Sequence, residues 1–245
     1  MKRNLLILLA LVLVLGACKK TKSPTRSHAL VKTHTQLLSS GATTTYTYTY
    51  DATSRVSAIT SSDLTSTTFR YNFDSIIARH NNTGGIATDS IIYITNSDGL
   101  VDTAIVNAGS TATYQSFSYD RNGYPATFKQ YNNYNELQNT YTYGTSAGNI
   151  VSTVVTDAMN TTLSTTNYVY DSSHLNSIGS TNIGQPYFGT PNVNTYKSAT
   201  TVLSLLHTNI VTYTFSFDNF SQIYIEQTVD NSTGITTSTD TYLYY

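Results

Sequence analysis

Short runs in which aromatic and polar residues alternate recur along this chain, and each run leads through a turn into a second run. The clearest copy spans residues 117–128, with the sequence Phe-Ser-Tyr-Asp-Arg-Asn-Gly-Tyr-Pro-Ala-Thr-Phe. Alternation with a period of two places the two sets of side chains on opposite faces of a β-strand. Asn-Gly between two such runs permits the positive φ angles that a tight hairpin turn needs. The pattern therefore predicts a β-hairpin that is repeated along the chain.

Copies of this hairpin extend from about residue 45 to the C-terminus. In four of them an Asp ends the first run, at successive spacings of 23, 46 and 51 residues, which fits one or two units of about 23 to 26 residues. An Asp side chain opens a turn by accepting hydrogen bonds from backbone N–H groups further along the chain. A calcium site would need a dense local cluster of oxygen ligands, whereas these carboxylates lie at separate turns. We therefore predict turn roles, not catalytic or calcium-binding roles, for Asp51, Asp74, Asp120 and Asp171.

The repeats predict one all-β domain over residues 41–245. Each unit supplies two strands, so about 14 strands are expected, and a sheet of that size must curl or split. We expect a large curved antiparallel meander, an open or partial barrel of repeated hairpins, with the alternate aromatic side chains inside. A transmembrane β-barrel is the competing architecture, because its strands alternate as well. The Thr, Ser and Asn residues opposite the aromatics form no consistent apolar outer band, which disfavours that competitor.

The first 17 residues are predicted to be a lipoprotein signal peptide. A basic start precedes an apolar run from Leu5 to Leu15 that is too short to span a bilayer comfortably as a helix. The next residues, Leu-Gly-Ala-Cys at 15–18, resemble a bacterial lipobox, in which the cysteine is lipidated and becomes the new N-terminus. Cys18 is the only cysteine of the chain, so ordinary cleavage, the alternative, would leave a free thiol. Residues 18–40 are expected to be the lipidated cysteine and a flexible tether, although 30–40 could form a first strand or a short helix.

Lipidation at Cys18 implies a membrane partner, the outer membrane, bound through the lipid anchor. Three lysines, at positions 19, 20 and 22, follow the cysteine. Lipoproteins of Bacteroidota that reach the cell surface usually carry acidic residues at this place. The lysines therefore favour the periplasmic face of the outer membrane over the cell surface.

The charge distribution excludes nucleic acid as a partner. Without residues 1–17 the chain has 11 basic and 14 acidic residues. From residue 81 onward the basic residues are Arg121, Lys129 and Lys197, against eleven Asp or Glu. A nucleic-acid-binding protein needs a basic face to displace counterions from phosphates, and this composition does not provide one.

No catalytic or metal-binding pattern stands out, so we predict a non-enzymatic protein without a metal or cofactor. The histidines have no metal-ligand spacing such as i, i+4 on a predicted helix. A Ser-His-Asp triad stays open in a chain so rich in serine, but there is no Gly-x-Ser-x-Gly nucleophile elbow. Nothing places two carboxyl groups together as in a glycosidase, since Glu136 and Glu226 are the only glutamates. The histidines are His28, His34, His80, His174 and His207.

The repeat is interrupted at residues 179–209, where two prolines and a glycine predict irregular chain. The apolar tail at 199–206 could be a short helix or a buried strand. A loop of this length usually has a function or covers something, and we expect it to pack over one end or face of the sheet and shield an edge from pairing. If there is a binding surface, the candidates are Tyr187, Phe188 and Tyr196.

The tyrosines leave two functions open. The first is a non-enzymatic cell-envelope lipoprotein with a binding or scaffold role and an envelope protein as partner. The alternative is a glycan-binding lipoprotein that stacks sugar rings on exposed tyrosines. Their exposure discriminates, because coplanar tyrosines in a solvent-open groove would support glycan binding and tyrosines inside the sheet would exclude it.

Three short segments resemble the Asp-Ser/Thr-aliphatic sequons at which Bacteroidota glycosylate secreted proteins. They predict modification at Ser75, Ser90 and Thr103. The intact mass of the native protein tests this prediction.

The units Tyr-Thr-Tyr-Asp at 48–51 and Phe-Ser-Tyr-Asp-Arg-Asn-Gly at 117–123 resemble the YD, or Rhs-type, repeat. Over residues 40–245 the chain is similar to Bacteroidota lipoproteins with a domain of unknown function. In these, a loop with Pro and Phe interrupts the hairpins before a last hairpin, as Gln-Pro-Tyr-Phe-Gly at 185–189 precedes Tyr-Thr-Phe-Ser-Phe-Asp at 213–218. The resemblance implies an all-β fold and carries over no activity or site residues.

Overall fold

The computed structural model describes residues 29–108, 111–203 and 207–245. Within these residues, sixteen β-strands close into one antiparallel barrel. Each strand pairs with its neighbours in sequence, and the first strand pairs with the last. The strands are β1 (Val31–Leu38), β2 (Thr43–Tyr50), β3 (Val56–Ser61), β4 (Ser66–Tyr71), β5 (Ser75–Asn81), β6 (Ala87–Thr95), β7 (Val101–Ala108), β8 (Thr111–Tyr119), β9 (Pro125–Tyr131), β10 (Leu137–Ser146), β11 (Asn149–Asp157), β12 (Thr162–Leu175), β13 (Asn194–Leu203), β14 (His207–Phe217), β15 (Ile223–Asp230) and β16 (Ile235–Tyr244).

The predicted all-β antiparallel meander is confirmed, and it closes fully. The closing strand β1 comes from residues that the sequence analysis assigned to the tether, so the barrel begins at residue 31 and the 30–40 alternative resolves to a strand. Its sequence, Val-Lys-Thr-His-Thr-Gln-Leu-Leu, lacks the aromatic alternation that marks the repeats. Residues 1–28, which include the predicted signal peptide, Cys18 and His28, lie outside the described residues. No helix among the described residues is long and apolar enough to cross a membrane.

Alternation along each strand separates an aromatic inner face from a polar outer face. In β2, Tyr46, Tyr48 and Tyr50 face the barrel interior, and Tyr48 is buried, whereas Thr47 and Thr49 are exposed. Residues that lie opposite one another in an antiparallel sheet share a face, so this phase continues around the barrel. The alternate aromatic side chains of β2 therefore face inward, as predicted.

The hairpin turns divide between the two ends of the barrel. The end that carries Asp51, Asp74, Asp120 and Asp218 is called the Asp end, and the opposite end is called the far end. The predicted turn role is visible at Asp120, whose Oδ1 accepts hydrogen bonds from the backbone N–H of Asn122 at 2.8 Å and Tyr124 at 3.0 Å. The Asn-Gly pair supplies the expected positive φ, which is +80° at Gly123.

Residues 176–193, called the cap, fold across the Asp end. They are irregular apart from a short 3-10 helix at Pro186–Phe188. Cap carbonyl oxygens accept hydrogen bonds from the backbone N–H groups of Val31 at 2.9 Å and Val56 at 3.0 Å. On the other side of the barrel, the N–H of Thr190 donates to the carbonyl of Gly123 at 2.8 Å. The cap therefore joins strands that lie far apart in the barrel.

The cap differs in extent and role from the predicted insert at 179–209. Residues 194–203 form β13, so their apolar stretch is a strand rather than a helix, and β14 begins at residue 207. Residues 204–206 lie outside the described part of the chain. The cap does cover one end of the sheet, but the edge that it was expected to shield is absent from the described sheet, because β1 pairs with β16.

The best-buried side chains lie beneath the cap. Val31, Val56, Val101 and Ile223 are each 0% exposed, and each is the first residue of a strand that starts at the Asp end. Around them pack two clusters, one with Tyr48 and Tyr242 and the other with Ile76 and Tyr187. The packed core of the described residues is thus concentrated at the Asp end.

Candidate binding site in the barrel lumen

Aromatic rings form a continuous lining on part of the inner wall. The register places Phe117 opposite Phe128 and Phe128 opposite Tyr141, on β8, β9 and β10. Their ring centroids are 5.0 and 5.2 Å apart, within the range of favourable aromatic pairs. A second group, on β12, β13 and β14, has Tyr196 at 5.3 Å from Tyr168 and 5.7 Å from Tyr213. These rings present apolar faces to the lumen.

Two cavities lie between this lining and the cap. The first, the aromatic cavity, has a volume of about 380 Å³ and is lined by residues including Tyr93, Gln115, Phe117, Phe128 and Phe188. The second, the sub-cap cavity, has a volume of about 320 Å³, and its lining includes Phe188, Thr195, Tyr196, Phe215 and Glu226. Pro125 and Phe188 line both cavities, so the two are adjacent.

The three candidate binding residues, Tyr187, Phe188 and Tyr196, do not share one environment in the structure. Phe188 lines both cavities, and Tyr196 lines the sub-cap cavity, where its hydroxyl accepts a hydrogen bond from Asn192 Nδ2 at 2.6 Å. Tyr187 is 5% exposed and packs against Tyr71 and Tyr93 at centroid distances of 6.1 and 6.3 Å. Tyr187 is thus a packing residue of the cap and lies on no open surface. Cys18 lies outside the described residues.

Several inward tyrosines are tied to the backbone by their hydroxyl groups. Tyr71 donates to the carbonyl oxygen of Val56 at 2.7 Å, and Tyr244 donates to that of Ile223 at 2.7 Å. In the same way Tyr50 donates to the carbonyl of Val31. In each pair the tyrosine ends its strand and the acceptor begins a strand at the Asp end. Burial raises the pKa of Tyr244 to about 12, so this hydroxyl stays neutral.

A polar cluster on β1, β15 and β16 interrupts the aromatic lining. Glu226 lies opposite Asp240 on the inner face. Asp240 Oδ1 is 2.6 Å from His34 Nε2 and accepts from Gln36 Nε2 at 3.2 Å. The His34 ring stacks on Tyr242, with centroids 4.8 Å apart and planes 8° from parallel. Sequence reasoning missed this cluster because His34 and Asp240 are separated by 206 positions.

The two carboxyl groups of this cluster have opposite pKa shifts. Burial raises the pKa of Glu226 to about 7, and the charge of Asp240 adds to that shift, while Tyr242 and His34 oppose it. Burial acts on Asp240 in the same direction, but hydrogen bonds from His34 and two further side chains outweigh it and lower the pKa of Asp240. The wall thus holds one carboxylate that its neighbours stabilise and one carboxyl group that burial keeps partly protonated near neutral pH.

Two other described histidines, His174 and His80, make contacts that do not form a catalytic centre. Ser173 Oγ and Asp171 Oδ2 both approach Nδ1 of His174, at 3.0 and 2.8 Å. A Ser-His-Asp relay needs the serine and the carboxylate on different ring nitrogens, so this is a local turn contact. His80 contacts Thr67 Oγ1 through Nδ1 at 3.0 Å. Among the described residues no group of three or more His, Cys, Asp or Glu could hold a metal ion.

Comparison with known proteins supports the fold. No protein-family model and no curated protein matches the chain. A solved porin-like protein from Bacteroides uniformis matches at 18% identity, over 87% of this chain and 96% of that chain, with a TM-score of 0.64. A porin-like protein from Bacteroides vulgatus matches at 15% identity over 89% of this chain and 99% of that chain, with a TM-score of 0.61. At these identities the similarity shows the fold alone.

The YD-repeat resemblance gains no support of this kind. A Tc holotoxin pore structure from Photorhabdus luminescens matches at 14% identity over 80% of this chain and 9% of that chain, but the TM-score is 0.27. That value is too low to carry a structural argument. Membership of a YD-repeat lipoprotein family stays a prediction.

Proposed function

We propose that this protein is a non-enzymatic, lipid-anchored binding protein of the outer membrane, and that its barrel lumen is the binding chamber. The observation that carries the proposal is the pair of aromatic-lined cavities beneath the cap, of about 380 and 320 Å³. Such volumes are in the range of small-molecule sites, which combine an apolar lining with a few polar groups. The cap covers the Asp end of the lumen.

The envelope location rests on two independent arguments. Porin-like proteins of Bacteroides share the fold, and the Leu-Gly-Ala-Cys lipobox at 15–18 supplies a lipid anchor. We favour anchoring over a membrane-spanning role because β2 presents threonines outward, where a spanning strand needs apolar side chains. The lysines after Cys18 favour the periplasmic face of the outer membrane over the cell surface.

The placement of the tyrosines weighs against the glycan-binding alternative in its exposed form. The rings face the lumen, and several hydroxyl groups are already engaged by backbone carbonyls. A row of coplanar tyrosines on an open outer groove would have favoured sugar stacking. We therefore propose binding inside the barrel and leave a glycan as one class of ligand to be tested.

A thiol-blocking experiment tests the chamber. Cys18 is the only cysteine, so after lipidation an engineered cysteine is the only reactive thiol. Gln115→Cys places it in the aromatic cavity, and the matched control Ser116→Cys places it on the outer face of the same strand. Both variants are labelled with a bulky maleimide, incubated with small-molecule extract of the native envelope, and weighed by native mass spectrometry.

The proposal expects bound molecules on the wild type and on labelled Ser116→Cys, and their loss on labelled Gln115→Cys. Equal binding by the two labelled variants would show that ligands bind elsewhere, and the lumen would not be the chamber.

A further inference from the structure

The wall of the sub-cap cavity combines a carboxyl group with aromatic rings. Glu226 lines the cavity together with Tyr196, Phe215 and Phe188, and Phe215 lies directly opposite Glu226 in the sheet. The face of an aromatic ring attracts a cation, most strongly where water is excluded. A buried carboxylate is stable only when a cation or hydrogen bonds compensate its charge. The aromatic rings and the carboxylate therefore both favour a cationic ligand.

The described part of the chain does not supply that cation. None of its ion pairs includes Glu226. Asp240, the residue opposite Glu226 on β16, adds negative charge, and His34 is engaged with Asp240. Tyr242 donates to Glu226 Oε2 at 3.4 Å, which is a long hydrogen bond. Lys197 lines a different cavity, of about 440 Å³, that shares Tyr196 and Phe215 with the sub-cap cavity.

An independent polar group faces the same cavity. Thr195 lines it, is 2% exposed, and its Oγ1 has no hydrogen-bond partner among the described residues. Burying a hydroxyl without a partner is unfavourable. A ligand that brings an N–H donor into the cavity would satisfy this oxygen.

We propose that the sub-cap cavity binds a protonated organic amine, with its ammonium group between the Glu226 carboxylate and the Thr195 hydroxyl. The apolar body of the ligand lies against Tyr196, Phe215 and Phe188. The volume of about 320 Å³ accommodates an amine with a single aromatic ring. This inference rests on the proposed lumenal binding and names the class of its ligand.

Binding of the amine is coupled to loss of the proton from Glu226. Burial and the charge of Asp240 raise the pKa of Glu226 to about 7, against the weaker influence of Tyr242 and His34. Burial also raises the pKa of Tyr196 and Tyr213, so these neighbours stay neutral. An ammonium ion requires the ionised carboxylate, so affinity increases as the pH rises from 5.5 to 8.

Isothermal titration with a matched pair of probes tests the ligand class. 2-Phenylethylamine is cationic at both pH values, and 2-phenylethanol is a neutral analogue of nearly the same shape. At pH 8 the amine is expected to bind at least tenfold more tightly than the alcohol. At pH 5.5 the amine is expected to lose at least tenfold in affinity, with the alcohol unchanged. Equal affinities for the two probes, or a flat pH profile for the amine, would overturn the proposal.

A pair of glutamine variants locates the charge. Glu226→Gln is expected to lose at least tenfold in amine affinity while its affinity for the alcohol is kept. Glu136→Gln, in an exposed far-end turn, serves as the matched control and binds like the wild type. Unchanged amine affinity in Glu226→Gln would contradict the assignment. If this variant fails to fold, proton release on amine binding to the wild type, measured in buffers of different ionisation enthalpy, decides the question, and its absence overturns the proposal.

Labelled cysteines distinguish failure of the ligand class from failure of the chamber. Thr228→Cys lies on the inner face of β15, two residues beyond Glu226, and Gln227→Cys lies on its outer face. Loss of amine binding only in labelled Thr228→Cys supports both proposals. If both probes bind equally and both are blocked at position 228, the chamber stands and the amine is wrong. If the label at position 228 blocks neither probe, the site lies outside the lumen.

Discussion

The two ends of the barrel differ sharply, although the same hairpin repeat builds both. At the Asp end four strands begin with a fully buried apolar residue, as β3 does with Val56 and β15 with Ile223, and the cap lies over this end. At the far end the inner face of the barrel is polar. An example is the row of Thr67, His80 and Asp89, which lie side by side on β4, β5 and β6. The repeat therefore sets strand geometry, whereas the cap supplies the packing partners. Stability should depend on the Asp end far more than on the far end.

Glycines at the two ends give the largest expected contrast. Gly184 in the cap has φ +71°, and a Cβ there would meet the backbone nitrogen of Val56 at 2.6 Å. Gly85 in a far-end turn has φ +74°, and a Cβ there would meet nothing within 4 Å. Gly184→Ala should destabilise by about 4 kcal/mol, from strain plus a clash with backbone, and Gly85→Ala by about 1 kcal/mol. Equal losses in urea unfolding would show that the cap is not held against β3.

A pair of isoleucines, one at each end, gives the next largest expected difference in stability. Ile223 at the Asp end is 0% exposed and Ile235 at the far end is 56% exposed. Truncating a buried isoleucine to alanine costs about 2 to 5 kcal/mol, whereas an exposed one costs about 0.5 kcal/mol or less. Chemical denaturation of Ile223→Ala and Ile235→Ala measures the difference, and similar free energies of unfolding would remove the distinction between the ends.

Glu226, which lies between the two ends, makes the stability of the protein depend on pH, and the expected change is of intermediate size. Its pKa is about 7 in the folded protein against an ordinary value of 4.5. Its contribution to stability is therefore fully present below pH 4.5 and is lost as the pH rises through 7. As the pH rises from 4.5 to 8, the free energy of unfolding of Glu226→Gln should increase relative to that of the wild type by about 2 to 3 kcal/mol. Parallel stability curves for the two proteins would show that the carboxyl group is not buried.

Tyrosine hydroxyl groups give the smallest contrast. Tyr71 donates a hydrogen bond to the carbonyl of Val56 at the Asp end, whereas Tyr134 in a far-end turn is 77% exposed. Tyr71→Phe should cost about 1 kcal/mol, the net value of one hydrogen bond, and Tyr134→Phe should be neutral within error. Thermal unfolding of both variants checks this, and a neutral Tyr71→Phe would mean that the hydroxyl tie does not stabilise the strand start.

Local patterns predicted the repeated part of the fold. The alternation at Tyr46, Tyr48 and Tyr50 gave the correct strand and the correct inner face, because both depend only on neighbours in sequence. Asp120 and the Asn-Gly pair after it gave the correct turn for the same reason. β1 stayed undecided between a strand and a short helix because its role comes from pairing with β16, more than 200 residues away.

The sequence predicted the candidate site much less well than the repeated part of the fold. Phe188 and Tyr196 were singled out because the repeat fails near them, but that reasoning could not separate them from Tyr187, whose burial depends on Tyr71 and Tyr93. The polar cluster had one usable signal, since Asp240 shares the inward phase of Tyr242 and Tyr244 on β16. Its contact with His34 depends on closure of the barrel, which no local pattern shows.

A crystal structure of the protein purified from its own membranes, without added ligand, tests most directly whether the lumen binds a small molecule. Electron density for a small molecule is expected inside the barrel, between Phe188 of the cap and Glu226 of β15. Density for a bound molecule on the outer wall or on the far-end turns, with only solvent beneath the cap, would show that the lumen is not the binding chamber.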